Sequence, residues 1–300
     1  MSRRGWLLFV AMGVIWGVPY LLIKVAVGSL TPASLVLLRT ALAAVLLMPI
    51  ALAQGHIRPL LPRWRPLIMF TIAELAVPWF LLSNAERRLT SSLSGLLLAA
   101  VPLVGALLGW ATGGERLGPR RILGLAIGIA GVAALVGLDL GSGDVPALLQ
   151  MAVVAIGYAV GPFVLARYLT GLPGLGVIAA SLTLTAIGYL PVGIAQMPNH
   201  WPPAKVIASV IVLAVLCTAI AFLVFFALID EVGPVRATVI TYVNPAVAVA
   251  LGVIFLNESL TVGIVVGFAL VLGGSVLATR RSAAIVPNDE GAIAVDAVQR

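Results

Sequence analysis

Ten long apolar runs follow one another along this chain, and they constrain its fold more than any other feature. A helix that spans a bilayer needs about 20 mostly apolar residues. Gly, Pro, Arg or acidic residues separate the runs, as expected for helix ends and loops. The runs cover residues 6–28, 33–53, 66–85, 90–112, 120–138, 145–166, 174–195, 204–229, 234–256 and 261–279. We therefore predict an all-α integral membrane protein with ten transmembrane helices.

The composition agrees with this prediction and argues against a nucleic-acid-binding protein. Hydrophobic residues make up 61% and charged residues 10% of the chain, whereas soluble domains average roughly 45–50% apolar and about 25% charged residues. The net charge of +7 does not predict a phosphate-binding face, because the only lysines are Lys24 and Lys205 and the arginines lie between apolar runs. We expect a monomer whose partners are the lipid bilayer and a small-molecule substrate, with no nucleic acid.

The basic residues also predict the orientation of the chain. If the N-terminus is cytoplasmic, the cytoplasmic loops and termini hold thirteen Lys and Arg residues, and the opposite loops hold three. Cytoplasmic loops typically carry this excess. We therefore expect a multi-pass protein of the bacterial inner membrane with both termini in the cytoplasm. Lys24 and Arg39 fall within or at the ends of spans, and we expect them to snorkel to the outer interface or to pair with an acid such as Asp139.

The chain repeats itself with an offset of 143 residues, which aligns Pro, Gly and Glu residues of the two halves. The aligned pairs include Pro19 with Pro162, Pro102 with Pro245, Glu115 with Glu258, Gly124 with Gly267 and Gly131 with Gly274. Each half holds five spans, an odd number, so the second half must enter the membrane from the opposite side. We predict a first repeat over residues 1–138, an inverted second repeat over 145–281, and a polar, disordered cytoplasmic tail over 282–300. Inverted repeats are typical of secondary transporters that bind substrate near the midplane between the halves.

The segment Asn244–Thr261, NPAVAVALGVIFLNESLT, carries a resemblance to a known family. It resembles the signature of the EamA family of the drug/metabolite transporter superfamily, and Val101–Leu117, VPLVGALLGWATGGERL, is a related stretch in the first half. Ile15–Gly17 and Arg39–Ala41 are also similar to this family. The resemblance implies ten helices in two EamA repeats and transport of metabolites such as amino acids, nucleosides or drug-like compounds. Aromatic amino-acid exporters are one branch of the family to which the chain could belong.

Glu74 is the clearest functional candidate, because it lies mid-span in a segment between Leu67 and Ala85 that is otherwise almost free of charge. An intramembrane carboxylate is a functional hypothesis by default. It can relay a proton for coupled transport or bind a substrate. The alternative is a structural carboxyl that bonds a neighbouring helix.

Aromatic and polar side chains complete the predicted substrate site. Trp16 and Tyr20 share a helical face, Tyr158 lies on the matching helix of the other half, and a polar group precedes Pro245. Packing in the core and hydrogen bonds between helices are the alternatives. The predicted site consists of Trp16, Tyr20, Glu74, Trp79, Tyr158, Thr241, Tyr242 and Asn244.

Prolines within or near the spans are predicted hinges or helix breaks, because each removes a backbone hydrogen bond. Packing kinks are the alternative. The candidates are Pro19, Pro78, Pro102, Pro162 and Pro245. Glu115 and Glu258 close the paired motifs at opposite faces, where we expect them to cap neighbouring helices or to lock a gate.

The sequence argues against an enzyme and against cofactors. The only histidines, His56 and His200, are predicted in loops on opposite sides, which disfavours a His-based metalloprotease site, and no Walker-type phosphate loop is present. The single cysteine, Cys217, excludes a disulfide framework and a Cys-based metal site. We expect transport by alternating access, with proton coupling through Glu74 or without coupling; inverted repeats favour this over a channel. A proton-coupled drug, cation or nucleoside exporter and a non-transporting receptor or structural protein are the alternatives.

Overall fold

The computed structural model describes residues 1–112, 118–139, 145–233 and 237–279. Within these ranges all regular secondary structure is helical. Ten helices there are long and apolar enough to cross a membrane: Arg3–Ala26, Pro32–Ala53, Arg58–Ala85, Ser91–Ala111, Pro119–Gly137, Val145–Tyr168, Gly174–Ala195, Ala204–Val232, Val239–Leu256 and Val262–Thr279. The predicted all-α membrane fold of ten spans is confirmed. The predicted tail over 282–300 and Glu115 lie outside the described residues.

Hydroxyl side chains begin several of these spans, which explains where the helices start. Ser2, Thr31 and Thr90 each accept a hydrogen bond from the backbone N–H three residues further on. Thr261 does the same for the tenth span, with a distance of 3.1 Å to the Ile264 nitrogen. Such caps satisfy backbone donors that have no partner inside the helix. Asn257, in the left-handed conformation with φ 53°, ends the ninth span as a C-cap residue.

The glycines that repeat between the halves lie where the fifth and tenth spans meet. A Cβ atom on Gly131 would lie 2.6 Å from the backbone nitrogen of Val271, and one on Gly124 would lie 2.8 Å from the carbonyl oxygen of Gly274. A Cβ atom on Gly267 would lie 3.0 Å from the Gly131 carbonyl. Small residues allow membrane helices to pack backbone against backbone. The glycines that the 143-residue offset pairs are therefore the ones that allow close contact between the fifth and tenth spans, one from each half.

Four spans are not regular α-helices throughout; the eighth contains the π-helical segment Val215–Ile220. The third span contains a π-helical segment, Thr71–Ala76, before the helix Val77–Ala85. The fourth divides into Ser91–Leu98 and Val101–Ala111, and the ninth begins with the 3₁₀ turn Thr238–Tyr242 before Asn244–Leu256.

The predicted hinge prolines fall into two groups. Pro78, Pro102 and Pro245 lie in the first turn after these irregular points, whereas Pro19 and Pro162 lie inside helices that continue through them. A proline costs least in the first turn, where its missing N–H has no helical partner. Hinge motion at all five positions stays a prediction.

Alternating spans divide the loops between two faces of the molecule. We call the face that holds the N-terminus the near face and the opposite one the far face. The far face includes the ends of the first, third and ninth spans. That the near face lies on the cytoplasmic side of the membrane stays a prediction.

Candidate functional site

Two π-helical segments lie at equivalent positions of the two halves. Thr71–Ala76 interrupts the third span, and Val215–Ile220 interrupts the eighth. The offset of 143 residues aligns Glu74 in the first segment with Cys217 in the second. π-Bulges are rare, and they occur frequently at functional sites. The middle of the bundle therefore has an irregular backbone in both halves at the same level.

Arg39 of the second span contacts the second of these segments. It is 7% exposed, and its Nε donates a hydrogen bond of 3.0 Å to Oγ1 of Thr218 in the second π segment. Its guanidinium carbon lies 3.7 Å from the ring centroid of Trp79 in the third span, a distance typical of cation–π contacts. Arg39 thus connects the two halves inside the bundle.

The prediction that Arg39 snorkels to the outer interface is wrong. Its aliphatic stem does not lead out of the bundle, because the Trp79 ring and the Thr218 hydroxyl hold the guanidinium inside. The alternative partner, Asp139, has a side chain that lies outside the described part of the structure.

Two tyrosines complete what we call the central cluster. Tyr158 lies next to the Trp79 indole and within electrostatic range of Glu74 and Arg39. Tyr20 lies close enough to both Tyr158 and Arg39 to interact with them electrostatically. The central cluster consists of Tyr20, Arg39, Trp79, Tyr158 and Thr218. Three of the predicted site residues thus come together around an arginine that the sequence analysis had placed at the interface.

Glu74 borders this cluster from the first π segment and packs against the sixth span. A Cβ atom on Gly161 would lie 3.0 Å from both Cβ and Cδ of Glu74, and one on Gly157 would lie 2.5 Å from the Ala73 carbonyl oxygen. The Oε2 atom of Glu74 is buried and has no hydrogen-bond partner among the described residues. A structural carboxyl that bonds a neighbouring helix would place this oxygen against a donor, which the described part of the chain does not supply.

The other predicted site residues lie apart from the central cluster. The Tyr242 hydroxyl is 2.9 Å from Oγ1 of Thr279, the last residue of the tenth span and therefore near-face, and Thr241 lies in the same 3₁₀ turn. The Asn244 amide nitrogen donates to the carbonyl oxygens of Ile240 and Gly13 at 3.0 and 3.1 Å.

Trp16 also lies apart, because it packs against phenylalanines of the eighth span. Its ring centroid is 5.8 Å from that of Phe222 and 4.8 Å from that of Phe225. The contacts of Trp16, Tyr242 and Asn244 join helices to one another. Substrate contact by these side chains stays a prediction.

Glu86 is a buried acid that the sequence analysis did not single out. It is 0% exposed at the far-face end of the third span, and neither carboxylate oxygen has a hydrogen-bond partner among the described residues. It precedes Arg87 and Arg88, which are exposed. A charged triplet after an apolar run predicts a loop, so the sequence carried no signal of this burial.

Lys24 lies beside Glu86 and is partly buried. Its Nζ donates to the backbone carbonyl oxygens of Glu86 and Leu89, both at 2.6 Å. These bonds hold the Lys24 ammonium at the far-face end of the third span, and snorkelling of this side chain to the interface stays a prediction. These contacts tie the first span to the third at the far face.

Glu258 closes the far face between the two halves. Its Oε1 accepts a hydrogen bond of 2.8 Å from the backbone nitrogen of Ser91, and its Oε2 accepts one of 2.9 Å from that of Ser92. A carboxylate at a helix N-terminus satisfies free N–H groups and favours the helix dipole. The prediction that Glu258 caps a neighbouring helix is confirmed.

Ten spans in two inverted repeats, with buried charged side chains where the halves meet, define a polytopic membrane protein with an architecture typical of transporters. Residues 3–137 and 145–280 match the sequence profile of the EamA-like transporter family. The chain belongs to this family.

Relatives whose sequence similarity extends over most of the chain are named as transporters. The chain is 24% identical over 287 residues to the uncharacterized transporter YvbV of Bacillus subtilis, covering 94% of each protein. It is 29% identical to the uncharacterized inner membrane transporter YedA of Escherichia coli, covering 87% of this chain and 88% of YedA.

The name of a third relative indicates a substrate class. A probable terminal-alkyne amino-acid exporter of Streptantibioticus cattleyicolor is 28% identical to this chain and covers 94% of it, with 95% of the exporter matched. A solved crystal structure is similar with a TM-score of 0.66 and 25% identity, covering 93% of this chain and 98% of the other. The protein is thus a membrane transporter of the EamA type.

Proposed function

We propose that the protein is a secondary transporter of small metabolites, with amino acids including aromatic ones as its substrates, and that it works by alternating access in the bacterial inner membrane. The observation that carries the proposal is Arg39, a buried cation that contacts Thr218 of one half and Trp79 of the other. Inverted-repeat transporters bind substrate at this level between their halves. The name of the Streptantibioticus relative supports amino acids.

The central cluster has the chemistry that an amino-acid site needs. Tyr20, Trp79 and Tyr158 offer aromatic faces for an apolar side chain and hydroxyl groups for polar contacts. Arg39 offers donors for an anionic group, whereas the Thr218 hydroxyl already donates to the Leu213 carbonyl oxygen. Small-molecule sites are typically apolar with a few placed polar groups, and the central cluster has this composition.

Alternating access requires contacts that close one face and can be exchanged for contacts at the other. At the far face, Lys24 joins the first span to the third, and Glu258 joins the ninth to the fourth. These are hydrogen bonds between short segments at helix ends, which can separate without unfolding a span. The excess of Lys and Arg in near-face loops supports a cytoplasmic near face, and the name of YedA supports the inner membrane.

Glu74 is the proposed coupling residue. It lies at mid-membrane in a π segment, and its Oε2 atom has no hydrogen-bond partner within the described ranges. A carboxylate in this position can bind a proton on one side and release it on the other as the halves move. Proton-coupled exchange of substrate is the mechanism that this position supports.

Transport by the purified chain in liposomes tests the proposal. We expect saturable uptake of at least one labelled amino acid among phenylalanine, tryptophan and threonine, and a change in its rate when a pH gradient is imposed. Empty liposomes are the control. Saturable uptake at a rate that does not depend on the pH gradient would indicate facilitated diffusion and would contradict proton coupling. Failure to carry any amino acid would overturn the proposed substrate class and leave the assignment to the transporter family untouched.

A proton-coupled exporter of cationic compounds is the second candidate. Glu74 and Glu86 are the observations that favour it, because both have buried carboxylate oxygens that no described donor contacts. A cationic drug would bind between such acids. Uptake of a labelled amine without uptake of any amino acid would select this candidate.

A further inference from the structure

Arg39 differs from the other arginines of the described residues in being buried. A guanidinium group has five N–H donors in a fixed planar fork. In the described structure Arg39 uses one of them, on Thr218, and it has no ion pair within 4.0 Å. The guanidinium lies over the Trp79 ring and close enough to Tyr158 to interact with it electrostatically.

A structural arginine in this protein has a different set of contacts. Arg63, which is exposed, donates from one nitrogen to the carbonyl oxygens of Tyr168 and Thr170 at 3.1 and 3.0 Å. These bonds join the third span to the end of the sixth. Arg39 contacts no carbonyl and no carboxylate among the described residues, so its burial is not explained by a link between backbones.

A buried guanidinium without a counter-charge is costly in a membrane. Glu86 lies within electrostatic range of Arg39 but does not form an ion pair with it, and its own carboxylate oxygens are buried without described partners. Arg39 is thus held at mid-depth and Glu86 near the far face. Each side chain has hydrogen-bonding groups that no described residue contacts. An arginine fork of this kind matches a carboxylate in geometry, which a lysine does not.

We infer that Arg39 binds the carboxylate of the transported substrate, with Thr218 and Trp79 fixing the orientation of its fork. The inference rests on the proposed transport function and names the substrate class as carboxylates. Free amino acids and other organic acids share this chemistry. An amino acid would in addition place its ammonium group toward Glu86, which an acid without nitrogen cannot do.

The position of Arg39 also suits alternating access. Thr218 belongs to the second half and Trp79 to the first, so a movement of one half against the other changes the surroundings of the fork. A substrate carboxylate bound there would be exposed to one face at a time. The binding site and the moving interface would then share one residue.

Matched analogues of one substrate test the inference. Uptake of labelled L-phenylalanine into liposomes holding the full chain is competed with unlabelled phenylalanine, phenylalaninamide, phenethylamine and 3-phenylpropionate. The amide keeps the size and the ammonium group but loses the anionic carboxylate. We expect it to compete roughly 10- to 100-fold more weakly than phenylalanine, which is the range for one lost charge-assisted hydrogen-bonded contact. Weak competition by 3-phenylpropionate would identify amino acids as the source of the carboxylate, and equal competition would identify organic acids in general.

Variants of Arg39 separate binding from a structural role. In Arg39→Gln we expect the preference for phenylalanine over the amide to fall to within about threefold, while Arg39→Lys keeps part of it because the charge remains. Arg88→Gln, which changes an exposed arginine of a far-face loop, is the control and should keep the full preference. An unchanged preference in a folded Arg39→Gln protein would overturn the inference.

A second measurement covers a substrate outside this series. The melting temperature of the purified wild-type and Arg39→Gln proteins is measured with amino acids and organic acids, since a ligand that binds only the folded state raises it. Stabilisation of wild type by a carboxylate, lost in Arg39→Gln, would support the site even without phenylalanine transport. No stabilisation by any carboxylate, together with uptake of an amine, would overturn the carboxylate site while the transporter function stands.

Discussion

The two π segments share one backbone irregularity but carry different side chains. In the first half, the segment holds Glu74, and Trp79 follows it. In the second half, the residues aligned with these two by the offset of 143 are Cys217 and Phe222. The inverted repeat has therefore kept the local geometry of both spans while the chemistry of the site became asymmetric.

The difference extends to the helices that pack against each segment. Gly157 and Gly161 of the sixth span allow a close approach to the first segment. The residues aligned with them in the first span are Val14 and Val18. Val14 is 47% exposed, so the close approach that glycine allows beside Glu74 is not repeated at this position of the first span. Symmetry supplies the scaffold, and the departures from symmetry supply the candidate site.

The largest effect is expected from closing the space beside Glu74. A Cβ atom on Gly161 would collide with the Glu74 side chain, so Gly161→Val forces the sixth span away from the first π segment. Overpacking of this kind costs about 1–3 kcal/mol and occasionally more. We expect a lower melting temperature in detergent and loss of transport. Gly188→Val is the control, because a Cβ atom there meets nothing within 4 Å; equal destabilisation by both variants would contradict the tight packing at Gly161.

The next largest effect is expected from changing the ionisable group of the first π segment without changing its packing. Glu74→Gln keeps the shape of the side chain but removes its ability to exchange a proton. We expect the transport rate under a pH gradient to fall about tenfold or more, equivalent to about 1.4 kcal/mol, and to become independent of external pH. Uptake across a series of pH values measures both. If the variant transports at the wild-type rate with the wild-type pH profile, proton coupling through Glu74 is wrong.

These spans also show what a sequence can and cannot predict. Apolar length and the 143-residue offset were enough for ten spans in two inverted halves, because lipid requires long helices whose backbone bonds are satisfied internally. Glu74 stood out because it is a lone charge in an apolar run. Arg39 was misplaced, because a position within a span is compatible with either snorkelling or inward bonds.

The polar residues before Pro245 show a second limit. Their composition predicts polar groups within a span, but depth depends on where the ninth span begins, and the structure begins it at Val239. Tyr242 consequently meets Thr279 at the end of the tenth span. Contacts between distant spans, such as Arg39 with Thr218, arise from packing and leave no pattern in a single sequence.

A smaller effect is expected in the second segment, where Thr218 positions Arg39. Thr218→Val keeps the volume of the side chain but removes the hydroxyl that accepts the Arg39 Nε hydrogen bond. Loss of one such bond should weaken apparent substrate affinity roughly three- to tenfold while the maximal rate stays similar. Concentration-dependent uptake separates these two quantities. Thr183→Val, which removes a hydroxyl that bonds the Ala179 carbonyl of its own helix, should leave both unchanged.

The smallest effect is expected at Cys217, the residue aligned with Glu74. Cys217 is 1% exposed, and a buried free cysteine behaves as a small hydrophobe. Cys217→Ala removes one sulfur atom from the core, so we expect a melting temperature lowered by only a few degrees, consistent with about 1 kcal/mol for a large domain. Transport and its pH profile should remain those of wild type, because no proton is exchanged at this position. A loss of pH dependence in Cys217→Ala that equals the loss in Glu74→Gln would mean that both segments take part in coupling, and that the asymmetry between the two halves is one of residue type and not of role.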